Sequence, residues 1–142
     1  MIEHLPLLLR ISGIGILLLA LSHVPIGRHL KWKEQGALLS LENEAVFHVH
    51  TFFICVTLVL MGLPAALAPE VFLEKSGMAR WMAWSFCGFW LIRLYCQWFV
   101  YRRQLWRGKR LETGIHYLFT GLWLALAVVF GLCGAVQSGV LL

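Results

Sequence analysis

Four stretches of this chain are each long and apolar enough to cross a bilayer as a helix, and short polar segments separate them. A spanning helix takes roughly 20 predominantly apolar residues. The stretches cover about 5–26, 41–67, 78–101 and 113–136 of 142 residues. The chain is 60% hydrophobic and 13% charged, whereas soluble domains average about 45–50% and about 25%. So short a chain cannot bury that much apolar surface in water, but lipid can solvate it. The expected fold is an all-α polytopic integral membrane protein, an antiparallel four-transmembrane-helix bundle forming one transmembrane domain over 1–142.

Local signals punctuate the helices. Pro6 suits a first turn, where its missing N–H costs nothing, and Pro25 with Gly27 marks the exit of the first helix. Ile11 to Leu21, with Ala20-Leu21-Ser22, resembles a signal peptide's apolar core and cleavage site. Glu3, and the lack of a lysine before Arg10, oppose that reading, so the segment is taken as a retained helix. Ser40 is a good N-cap for the second helix, and Glu42 and Glu44 favour its positive first turn. Pro64 and Pro69 end it, Ser76 caps the third helix, and Gly108 supplies a turn before the fourth. Trp81 and Trp84 at one end, and Trp98, Tyr101 and Trp106 at the other, form two aromatic belts.

Charge sets the orientation. Segments 27–40 and 102–112 hold Arg28, Lys31, Lys33, Arg102, Arg103, Arg107, Lys109 and Arg110, whereas the loop at 68–77 holds only Lys75. Positive loops stay on the cytoplasmic side, so both basic segments are expected in the cytoplasm and both termini outside, in a cell (inner) membrane. The formal net charge of +5 is then a topology signal and a contact for anionic headgroups, not for nucleic acid. An interfacial half-helix is expected within 27–40. Cys55, Cys87, Cys96 and Cys133 all fall inside helices without a C-x-x-C pair, and read as packing residues.

This topology collects polar side chains at one depth. His23 closes the first helix, Glu44 and His48 open the second, Arg93 and Gln97 lie late in the third, and His116 opens the fourth. Ionisable groups at membrane depth are costly and point to function. Glu44, His48, Thr51 and Cys55 share one helical face, whereas His50 lies about 200° from His48 and lines up with Asn43 and Thr57. Arg93, Gln97, Tyr101 and Gln104 form a second stripe. The expected partner of Arg93 is Glu44 or an acidic group on a ligand.

Three chemistries suit this set. A b-type haem or a quinone would use His48 and His116 as facing imidazoles, with Arg93, Gln97 and Tyr101 meeting propionates or quinone oxygens. Alternatively, His23, Glu44, His48 and His116 would hold a single zinc or iron ion, or Glu44 and His48 would do acid–base chemistry on a lipid-like substrate. The third reading is a non-catalytic subunit or assembly factor of a membrane complex, or a homo-oligomer, whose polar residues hold the helices in register. The histidine boxes of di-iron membrane hydroxylases and desaturases are absent, and the apolar outer half does not suit an ion path.

Overall fold

The structure is a computed structural model, and it describes residues 2–141. The described residues are helical with no strand: α1 (Leu5–His29), α2 (Trp32–Gly36), α3 (Leu41–Leu67), α4 (Gly77–Tyr95) and α5 (Arg110–Gln137), with short 3-10 turns between them. Three helices, α1, α3 and α5, are long and apolar enough to cross a membrane. In α4, Arg80, Arg93 and three tryptophans dilute the apolar character. A π-helical turn, Cys96–Val100, follows α4 directly.

Several boundaries differ from expectation. α1 does not stop at Ile26 but runs through Pro25 to His29. Pro25 leaves Leu21 O without its helical donor; upstream, Ser22 Oγ and His23 Nδ1 both donate to Leu19 O, at 2.6 and 2.9 Å. Gly27 is a packing glycine rather than an exit signal, since a Cβ there would lie 3.0 Å from the Trp32 ring. The short α2 follows the turn at Lys31, whose φ of 52° is left-handed. α3 has the expected bounds, but Ser40 caps it without a side-chain bond, and its carbonyl accepts from Glu44 N at 2.9 Å. The Ser76 hydroxyl does cap α4, accepting from Ala79 N at 3.0 Å. α5 begins at Arg110, three residues before the expected Thr113.

The chain forms two compact units, one from Arg10 to Pro69 and the other from the residues up to Leu9 together with those from Glu70 onward. In the first, α1 and α3 are antiparallel and meet at glycine. A Cβ on Gly13 would overlap the backbone of Ala65 and Ala66, and one on Gly62 would crowd Ile16 and Leu17. Such small-residue contacts let membrane helices approach closely. In the second unit α4 and α5 form an antiparallel pair. Trp84 lies on Gly134 and Cys87 on Gly131. Trp90 stacks on Trp123 with centroids 5.2 Å apart, and Phe72, Phe86 and Phe130 form an aromatic cluster.

Candidate functional site

The polar centre of the second unit is built where α4 gives way to its π-turn. Arg93 lies in the last turn of α4 and Gln97 one turn later. The π-turn is closed by Tyr101 N bonding Cys96 O at 3.1 Å, five residues back. One extra residue in a turn rotates the downstream side chains by about 100° relative to an α-helix. The four-residue stripe expected from the sequence is therefore broken. Tyr101 has extended backbone, yet its hydroxyl still accepts from Arg93 Nη2 at 3.4 Å. Gln104 falls on an exposed 3-10 turn outside the cluster.

The early start of α5 completes the site. His116 is placed two turns inside the helix rather than at its mouth, and it is 3% exposed. Its ring lies flat on Trp106, with centroids 3.9 Å apart and planes 10° apart. Trp98 and Tyr117 meet its edges at 5.0 and 5.6 Å. Gln97, 6% exposed, bridges the two helices, with its Nε2 2.9 Å from His116 Nδ1. Gln97 Oε1 accepts from Arg93 Nη1 and from Trp123 Nε1, both at 3.4 Å. The Arg93 guanidinium also lies over Trp123, with Cζ 4.8 Å from the ring centroid.

This network assigns the protons. Guanidinium and indole nitrogens only donate, so the Gln97 atom facing both must be its oxygen. Its amide nitrogen then donates to His116 Nδ1, which is bare, and the neutral imidazole carries its proton on Nε2. That Nε2 is buried and has no hydrogen-bond partner. A buried donor without an acceptor costs about 1–3 kcal/mol. Within this unit Arg93 has no carboxylate partner among the described residues either. Glu44, expected to pair with it, belongs to the other unit and lies 3.8 Å from His48.

The first unit carries its own polar residues. Glu44 and His48 share the expected α3 face, and both are partly exposed. Thr51 on that face bonds Phe47 O at 2.9 Å. His50 points elsewhere and donates from Nδ1 to Val46 O at 2.8 Å. His23 does the same to Leu19 O, and its ring meets Trp32 at 6.3 Å. Trp32 in turn packs on Phe47, and Phe47 on His48. His48 and His116, the expected imidazole pair, thus belong to different units. Among the described residues no three of His, Cys, Asp and Glu form a group that could hold a metal ion.

Of the residues singled out from the sequence, Arg93, Gln97, Tyr101 and His116 come together, as do Glu44 and His48. Sequence reasoning missed the aromatic walls of the site: Trp90, Trp98, Trp106 and Trp123. A seven-residue spacing puts Trp90 on the Gln97 face and Trp123 on the His116 face, which is a legible helical signal. Trp106 lies in the loop and gives no such signal. Comparison with known proteins returns no match: no family model fits the chain, and no curated protein or solved structure is significantly similar.

Proposed function

We propose that this is a multi-pass protein of a cell (inner) membrane whose Arg93–Gln97–His116 centre binds the carbonyl-bearing ring of a quinone. α4 and its π-turn form the fourth span. Residues 77–100 are helical, and at about 1.5 Å per residue they reach about 36 Å, enough for a hydrocarbon core of about 30 Å. The basic segments 27–40 and 102–112 face the cytoplasm, both termini face outward, and the four helices run antiparallel.

The observation that carries the ligand reading is the buried His116 Nε2–H, left without an acceptor on the same network as a guanidinium that has no carboxylate partner among the described residues of this unit. The imidazole N–H calls for an oxygen acceptor, and the guanidinium, bonded at 3.4 Å to Gln97 Oε1 and the Tyr101 hydroxyl, has N–H groups left to share one. A quinone offers two carbonyl oxygens and a flat ring suited to tryptophan walls, and it partitions into the membrane. A b-type haem is less well supported. Iron ligation through Nε2 requires that nitrogen to be bare, which would move the proton to Nδ1 and turn the Gln97 amide against Arg93 and Trp123.

One observation favours a second, non-catalytic reading. The Gln97–His116 bond joins the π-turn that continues α4 to α5, so the centre would serve to fix their register. The two readings separate on purified protein extracted with organic solvent, with the quinone released quantified by chromatography. The quinone reading expects near-stoichiometric quinone in the parent protein, lost in Arg93→Gln and His116→Phe variants that remain folded. If the parent retains no more quinone than Arg93→Gln, the ligand reading fails and the register role stands.

A further inference from the structure

We propose that the elbow between α1 and α2 is a binding site for the phosphate of an anionic phospholipid headgroup. It rests on the membrane reading of α1 and α3, not on the ligand proposed for Arg93. The elbow forms an open groove of about 380 Å³ lined by Arg28, Lys31 and Lys33, against one acid, Glu34.

Local backbone and packing shape this groove. α1 passes through Pro25 and stops at His29, bringing Arg28 to its end. Lys31 takes a left-handed backbone that breaks the helix, and α2 begins at the next residue. Trp32 fixes the result. Its indole lies against Gly27, where any side chain would crowd it, and is held edge-on by His23 and Phe47. Trp32 thereby packs the inside of the bend, and the three basic residues line one groove. On the membrane reading, Trp32 follows directly after the spanning α1, where indoles are enriched at the headgroups.

Charge selects the ligand. The Lys31–Glu34 pair at 3.6 Å is exposed on both sides, and such pairs are weak, so it occupies little of the available positive charge. Arg28 and Lys33 have no carboxylate partner among the described residues. Each basic residue at an anionic surface contributes about fivefold in binding. Three therefore give on the order of 100-fold, and Glu34 reduces this to roughly 10- to 30-fold. A zwitterionic phosphatidylcholine presents the same phosphate behind a cation and gains little of this. Inorganic phosphate shares the chemistry but lacks the acyl chains that would lie along α1.

The test is lipid retention by the full chain in nanodiscs of phosphatidylcholine with a minor share of phosphatidylglycerol, read by native mass spectrometry. Phosphatidylglycerol is expected to be enriched on the protein. The enrichment should fall roughly 10-fold or more in the Arg28→Gln/Lys31→Gln/Lys33→Gln variant and rise a few-fold in Glu34→Gln. Thermal unfolding of each variant reports whether it folds, and Glu34→Gln keeps the test decisive should the triple variant fail to fold. Equal retention of the two lipids by the parent, or no rise in Glu34→Gln, overturns the site. Full displacement of the lipid by excess inorganic phosphate overturns the lipid source and assigns the groove to a soluble anion.

Discussion

Replacing Gln97 with leucine tests the centre most directly. The substitution keeps most of the volume and removes one acceptor and one donor. The 2.9 Å bond to His116 counts in full, whereas the two contacts at 3.4 Å are long and weak. Interhelical polar bonds in membranes average about 0.6 kcal/mol with a maximum near about 1.7 kcal/mol. Stranding a second nitrogen of a ring that already holds one orphaned nitrogen pushes toward the upper end, so we expect a loss of about 1–2 kcal/mol. Equilibrium unfolding in mixed micelles, followed by tryptophan fluorescence, measures it. A double-mutant cycle with His116→Phe should return a coupling of about 0.5–1.5 kcal/mol, because both changes break one bond. A neutral or stabilising Gln97→Leu with no coupling would refute the assigned network. Gln97→Glu supplies the complement. A carboxylate can only accept, so His116 must place a proton on Nδ1, and ¹⁵N NMR of the imidazole should report protonation at that nitrogen.

Two other expectations concern packing and topology. Gly13→Ala should destabilise by about 1–3 kcal/mol, since its Cβ would overlap the α3 backbone. Gly15→Ala, with nothing within 4 Å, should be neutral or stabilise by up to about 1 kcal/mol; equal effects of the two would argue against the α1–α3 contact. Alkaline phosphatase fused after Lys75 should be active and fused after Arg107 inactive, because the enzyme needs an oxidising exterior. The reverse pattern would overturn the orientation.

The helices were legible because long apolar runs are visible in composition directly, and α3 begins at its acidic first turn and stops before Pro69, although it runs through Pro64. The ends shaped by tertiary packing were not. Pro25 and Gly27 carry the usual marks of an exit, yet Gly27 is there to admit Trp32. Lys109 to Glu112 look like loop by charge. The helix begins there because Thr113 N bonds Lys109 O at 2.9 Å, while the Thr113 hydroxyl ties Trp106 O at 2.6 Å. In the site, helical spacing was enough to connect Arg93 with Gln97, and the matching depth on the next helix pointed to His116. The pairing of Arg93 with Glu44 rests on charge alone, and the two residues belong to different compact units. The π-turn has no local sequence signal, so the displacement of Gln104 could not be read in advance.

That turn works like a shim. Because one surplus residue lies between Cys96 and Val100, Trp98 swings onto the edge of His116 without pulling Arg93 from its seat on Trp123. Deleting a single residue there would relax the turn to ordinary winding and spin the whole Trp98–Trp106 aromatic cage away from the imidazole. The length of this short segment is therefore as much a part of the site as any side chain in it.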